Sequence, residues 1–370
     1  MKKGWEYKKL GEVANVNHGK NQKAVEDVHG KYPIYGSGGN IMGFANNYLC
    51  DAGTTILGRK GTINNPIFIE TKFWNVDTAF GISAKEGTDK KYIYYFVKSQ
   101  DWSKKDTGTT LPSLTQKVVK DTTVPVPPLS EQQRIVSYLD SAFAKIDAVA
   151  KNAEKSLNEA KALFQSALTK MMEPKEGWEE KKLGNVCDIE RGGSPRPIKE
   201  YITNDANGLN WIKIGDTDKD GKYIYSTKEK IKPEGLRKSR WVEENDFLLS
   251  NSMSYGRPYI LKTSGCIHDG WLVLRNYQAT FIMDFLYYLL ISQNVQSQFK
   301  EKAQGSTVSN LNTERVSQVI VATPDKNKQQ KIVSVLDSLK SKVDQLQTNL
   351  TRTLSECAAL KQSILRETFE

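Results

Sequence analysis

Histidine is nearly absent: His18, His29 and His268 are the only three in 370 residues, which leaves a histidine-based catalytic mechanism little to draw on. Cysteine is as sparse. Cys50, Cys187, Cys266 and Cys357 lie far apart, with no CxxC pair and no histidine cluster to complete a zinc site, so buried or reduced thiols are expected. A Walker loop for a translocase is missing. So is any run of about 18 apolar residues that would span a bilayer, and the opening MKKGWEYKK lacks the apolar core of a signal peptide; a cytoplasmic protein is expected.

Positive charge, by contrast, is in surplus: 53 Lys and Arg against 43 Asp and Glu give +10. Residues 131–172 and 327–370 account for only +3 of it, so most of the surplus lies elsewhere in the chain. A basic surface suits a polyanion such as nucleic acid, although a merely basic protein would carry it too. Two degenerate catalytic patterns also occur. NNPIF at 64–68 approaches the motif with which amino-methyltransferases hold a target amine, but Ile67 replaces its second proline and no Gly-rich cofactor loop stands upstream. Asp51 with Glu70 and Lys72 imitates a nuclease metal site, yet the ExK triplet also occurs at Glu6 and Glu179.

The strongest signal is internal repetition. GWEYKKLGEV at 4–13 returns as GWEEKKLGNV at 177–186, an offset of 173. GTTLPSL at 108–114 returns as GSTVSNL at 305–311, and SEQQRIVSYLDS at 130–141 as NKQQKIVSVLDS at 327–338, both offset by 197. Between these anchors the copies have diverged. ILGRKGTINNPIF at 56–68 still falls against LLSNSMSYGRPYI at 248–260, with Pro66 on Pro258 and Asp77 on Asp269, as one hairpin with two different tips.

After each globular part comes a long amphipathic helix. Ile135, Leu139, Ile146, Val149, Leu157 and Leu163 step in near-heptad spacing, and Ile332, Leu336, Val343, Leu346, Leu354 and Leu360 repeat that pattern 197 residues later. Ser130 is the expected N-cap of the first helix, and Pro324 with Asp325 precedes the second. A helix of about 40 residues is roughly 60 Å long, too long for the inside of a small domain, so its seam needs a partner. The other copy supplies one. The expected architecture is α/β with a pseudo-twofold: a domain at 1–130, a helix at 131–173, a second domain at 174–326 and a second helix at 327–370, the helices pairing as an antiparallel intramolecular coiled coil.

Taken together and in this order, the duplicated motifs resemble the specificity subunits of type I restriction-modification systems over essentially the whole chain. TPDKNKQQ, in place of PPLSEQQ, is the one local departure. The resemblance implies two target recognition domains, each reading one half of a split sequence in double-stranded DNA. It implies helices that set the spacing and dock two modification subunits, with restriction subunits as further partners. By the same resemblance the chain is non-catalytic, and S-adenosylmethionine, ATP and magnesium belong to those partners. A self-contained DNA methyltransferase or nuclease is the alternative, and a scaffold without a DNA role a third.

A reader of DNA needs cations for phosphates and Arg, Asn, Ser or Thr on exposed turns for base edges. In the first domain YGSGGN at 35–40 offers Ser37 and Asn40, and GRKGTINN at 58–65 offers Arg59, Lys60, Thr62, Asn64 and Asn65. In the second, RGGSPRP at 191–197 and SNSMSYGRP at 250–258 offer Arg191, Arg196, Asn251, Ser254, Tyr255 and Arg257. The closing loops at 107–110 and 304–310 are further candidates. His268 and Asp269, beside Trp271, read equally well as a polar cluster at the DNA face or as a structural pair. Trp74, Trp211, Trp241 and Trp271 read as core rather than as stacking platforms.

Overall fold

The computed structural model describes residues 4–218, 221–251, 255–303 and 310–370. The chain divides into two compact units, 1–155 with 348–370, and 156–347.

In the first unit the strand Thr54–Gly58, uncharged and buried along its whole length, runs antiparallel between Ala79–Ala84 and Ile67–Ile69, and Ala14–His18 adds an outer strand. Tyr32–Tyr35, between Ile41–Ala45 and Trp74–Asn75, makes a smaller mixed sheet. The helix Lys90–Ser99 is capped by the Asp89 carboxylate, which accepts from the Tyr92 N–H, and it buries Tyr92, Ile93, Tyr95, Phe96 and Val97. That face fits the bulky apolar run YIYYFV. In the second unit Phe247–Ser250 holds the central place, between Trp271–Arg275 and Pro258–Leu261. A second, five-stranded sheet runs in the order Ile202–Thr203, Glu229–Ile231, Leu209–Ile212, Gly265–Ile267 and Arg240–Val242, and its parallel pair Leu209–Ile212 with Gly265–Ile267 repeats Tyr32–Tyr35 with Trp74–Asn75 of the first unit.

Hydrogen bonds show the repeat where sequence identity has faded. Leu10 N–H donates to the Thr122 carbonyl and Leu183 N–H to that of Val319, both at 2.8 Å. Gly19 N–H donates to Ala79 O and Gly192 N–H to Trp271 O, both at 2.9 Å. The two hairpins share one register, with Thr55 opposite Phe68 and, at the equivalent positions, Phe247 opposite Ile260.

The twice-used helix start has a specific job. Gln132 is buried; its Oε1 accepts from Asp89 N–H at 2.9 Å and its Nε2 donates to Pro127 O at 2.9 Å. Gln329, also buried, accepts from Ile282 N–H at 2.8 Å and donates to Pro324 O at 2.8 Å and Thr280 O at 2.9 Å. Two turns on, Asp140 accepts from the Tyr95 hydroxyl and Asp337 from that of Tyr288. Each repeated QQ…LDS segment thus rivets its long helix to a helix of the globular part, Lys90–Ser99 in the first unit and Met283–Ile291 in the second. A buried amide left without its partner costs about 1–3 kcal/mol, which is why these residues recur while exposed neighbours differ.

The long helices run Leu129–Met172 and Lys326–Phe369. The second starts as expected, with the Asp325 carboxylate accepting from Lys328 N–H at 2.9 Å. The first begins ahead of Ser130: Pro128 O accepts from Gln132 N–H at 3.0 Å, and the Gln132 side chain secures the turn in place of a serine cap. The helices pair antiparallel in the same register in both units. In the first unit Lys361 meets Asp147, and in the second Lys161 meets Gln347 at 2.9 Å. The expected seam is only partly right. Ile135, Leu139, Ile146, Leu157, Leu336 and Val343 are buried, but Val149 (53 %), Leu163 (61 %), Leu354 (38 %) and Leu360 (50 %) are exposed. Val136, Phe143, Leu168, Val333 and Leu365 are buried instead. A straight helix drifts about 20° per heptad from a 3.5-residue repeat, and the helix ends also pack on the sheet-and-helix cores, so the buried face rotates along each helix. Among the described residues no helix is long and apolar enough to cross a membrane.

Candidate nucleic-acid interface

In the first unit the structure brings three separate segments together at the tip that follows Thr54–Gly58. Arg59 N–H donates to Thr78 O at 2.8 Å, Leu114 N–H to Arg59 O at 2.8 Å, and Gly61 N–H to Pro112 O at 2.9 Å. The tip is therefore clasped to the loop that closes the repeat. The 35–40 turn lies beside it, closed by Gly36 N–H on Asn40 O at 3.0 Å and reached by Asn65 Nδ2, 3.4 Å from Gly38 O. Gly39 has φ +81°, a backbone conformation that residues with a side chain rarely adopt, which is why glycine suits this turn.

Of the candidates on this surface, Asn40, Lys60, Thr62, Asn64 and Asn65 are exposed, and Ser37 and Arg59 half-buried. Asn64 has a structural duty, its Oδ1 accepting from Trp102 N–H at 2.9 Å. With Asn65 turned to Gly38, the NNPIF segment is occupied in holding the tip together. The Arg59 Nε donates to Asp77 O at 2.9 Å.

The second unit repeats the clasp with different side chains. Asn251 N–H donates to Gly270 O at 3.0 Å and Leu311 N–H to Asn251 O at 2.9 Å, so Asn251 stands where Arg59 stands in the first unit. It is buried, with Nδ2 on Asp269 O at 2.8 Å. Arg191 reaches the same carbonyl through Nε at 3.2 Å. The Asp269 carboxylate accepts from Ser194 Oγ at 2.6 Å and lies 3.5 Å from Arg196 Nη2. Asp269 thus gathers Arg191, Arg196 and Asn251. The Ser194 hydrogen bond holds its carboxyl below the usual range, against the opposing effect of burial.

Beside this cluster opens a cleft of about 740 Å³, walled by Pro195, Pro197, Ile198, Trp211 and His268, with Lys213 and Asp269 at its polar side. The His268 Nδ1 accepts from Gly270 N–H at 2.6 Å, and burial pushes its pKa down. Tyr255 is half-buried against the core, and Arg257 stacks toward Tyr259 with Cζ 5.8 Å from the ring centre, so neither belongs to the Asp269 group. Ser254, and positions 304–309 of the closing loop, lie outside the described residues. Ser194 and Lys213 were missed by sequence reasoning; Ser194 lies inside the flagged RGGSPRP, whereas Lys213 follows Leu209–Ile212, a strand matched to Tyr32–Tyr35 by its pairing and not by its sequence. Trp74, Trp211 and Trp271 are buried as expected, and Trp241 is half-buried.

Among the described residues no group of three His, Cys, Asp or Glu side chains is placed to hold a metal ion. Lys72, of the nuclease-like pattern, lies 3.7 Å from Asp51 and donates to the Tyr48 hydroxyl at 2.9 Å, an ordinary surface arrangement.

The family model for the type I restriction modification DNA specificity domain matches this chain twice, over residues 2–159 and 175–356. The chain belongs to this family. A putative type I restriction enzyme specificity subunit of Haemophilus influenzae is 22% identical over 364 residues, covering 95% of this chain and 91% of its own. The EcoBI specificity subunit of Escherichia coli is 24% identical over 350 residues, covering 85% and 72%. Two solved structures share the fold. One, from work on complex assembly and conformational transition of the type I system, has a TM-score of 0.77 at 20% identity over 99% of this chain and 98% of its own. The other, an HsdS subunit from Thermoanaerobacter tengcongensis, has a TM-score of 0.59 at 20% identity over 100% and 97%. Two tandem specificity domains separated by long helices are therefore the architecture, and a specificity subunit, not a self-contained methyltransferase or nuclease, is the function these relations support.

Proposed function

We propose that this chain reads a double-stranded DNA target in two parts, residues 1–130 reading one half-site and 174–326 the other. The helices, 131–173 and 327–370, set the unread spacing and dock two modification subunits. The carrying observation is that one backbone clasp recurs in both units and presents different side chains: Arg59, Lys60 and Thr62 in the first, Arg191 and Arg196 in the second. A common scaffold with individual tips is what two different half-sites require. Ser37, Asn40, Asn64 and Asn65 belong to the same proposed surface. Docking of two copies of one partner is supported by apolar residues exposed at repeated positions, Tyr138 with Val335 and Leu163 with Leu360. Restriction subunits join the same complex in a cytoplasmic setting, and S-adenosylmethionine, ATP and magnesium are bound by the partners.

The test is selection of bound duplexes from a randomised pool by the purified chain together with its modification subunits. The reading expects two short defined runs separated by a fixed unread interval, and exchange of residues 14–107 for those of another specificity subunit should change one run only. Binding without sequence preference, or a change in both runs, would refute it.

A further inference from the structure

Resting on that reading, we infer that Arg59 and Arg191 are the guanine-reading residues of the two domains, one per half-site, held by the same structural device from unrelated sequence positions. The device is the main-chain carbonyl of Asp77 in the first domain and of its counterpart Asp269 in the second. Arg59 donates Nε to Asp77 O at 2.9 Å; Arg191 donates Nε to Asp269 O at 3.2 Å. Yet Arg59 comes from the hairpin tip, while Arg191 comes from the end of Asp188–Arg191, on the opposite side of the strand that leads away from that carbonyl. The residue at the Arg191 position in the first domain is His18, and the residue at the Arg59 position in the second is Asn251. Alignment of the two halves therefore never sets one arginine on the other.

The chemistry of the guanidinium makes this placement informative. Binding through Nε fixes the plane of the group while leaving both terminal amino groups, the pair that reaches guanine O6 and N7 together. Neither arginine has a carboxylate partner or a further side-chain hydrogen bond among the described residues, unlike Arg240 on Glu190, Arg275 on Asp246 or Arg196 on Asp269. The main-chain carbonyl orients the fork without neutralising it. Asn251, sealed in the core with its amide committed to the same carbonyl, supports the second clasp and reads no base.

The experiment is the duplex selection described above, carried out on wild type, Arg59→Ala, Arg191→Ala and the two Arg→Lys variants. Wild type should select a G·C pair at one position at least in each half-site. Arg59→Ala should cut discrimination at one such position roughly 5- to 150-fold in one half-site and leave the other half-site intact. Arg191→Ala should do the converse. Lysine, a point charge without the fork, should restore overall affinity and not the preference. The untouched half-site in each variant shows that the chain remains folded. Equal weakening on all sequences would mark both as phosphate contacts and overturn the assignment, as would unchanged preference. A wild type that selects no sequence would overturn the reading beneath it as well.

Discussion

Replacing Gln132 by leucine should loosen the first unit by more than a change in shape would. The side chain is 1 % exposed and serves two backbone groups, Asp89 N–H and Pro127 O, each at 2.9 Å. Leucine leaves both buried and unpaired, at ~1–3 kcal/mol each, offset in part by ~1.5–3 kcal/mol from its own apolar burial. Taking the middle of each range, the net loss is ~2 kcal/mol. Gln329→Leu strands three groups in the second unit, Ile282 N–H, Thr280 O and Pro324 O, and should cost more. Urea-dependent hydrogen exchange, followed by mass spectrometry on peptides covering 89–99 and 282–291, reads each unit separately. Each variant should speed exchange in its own unit. A loss below ~0.5 kcal/mol in both, or a reversed order, would refute the view that these glutamines rivet the helices.

Two further outcomes follow from buried titratable groups. Burial lowers the His268 pKa, so the folded second unit prefers the neutral ring while the unfolded chain takes up a proton near pH ~6.5; stability is complete above that pH and falls as pH drops toward the folded value. The urea midpoint of the second unit should be lower at pH 5.5 than at 7.5, and His268→Gln should flatten that slope; an unchanged slope would place the effect elsewhere. Burial raises the thiols of Cys50 and Cys187 to about 12 and that of Cys266 to about 11, whereas Cys357 is half-exposed. Native alkylation should label Cys357 first, and prompt labelling of the other three would contradict the packing.

The repeat, the helix starts and the family were legible because they rest on residues with strict duties. QQ and LDS recur with matching duties: Gln132 and Gln329 hold buried backbone groups, and Asp140 and Asp337 accept from tyrosine hydroxyls. The pair YYFVKSQ at 94–100 and YYLLISQ at 287–293 carried the same signal for Tyr95 and Tyr288, the hydroxyl partners of Asp140 and Asp337. The seam was read too simply, because Val149, Leu163, Leu354 and Leu360 obey heptad spacing on paper while the real helix rotates away from it. At the tips the structure sets some of the candidate residues apart from the exposed surface. Asn251 and Tyr255 are of types that read bases, yet Asn251 is buried with Nδ2 on Asp269 O and Tyr255 is half-buried against the core. The carbonyl shared by Arg59 and Arg191 in the two domains leaves no mark in the sequence, since any residue supplies one.

The most direct test shortens both helices together. Residues 148–154 and 354–360 face one another by the register that pairs Asp147 with Lys361, and each block is one heptad. Deleting both keeps the helical phase and removes about 10.5 Å of helix, close to three base pairs of duplex at ~3.4 Å each. Selection of bound duplexes should return the same two half-sites with the unread interval shorter by about three base pairs. The same interval, or altered half-sites, would contradict the division between domains that read and helices that measure.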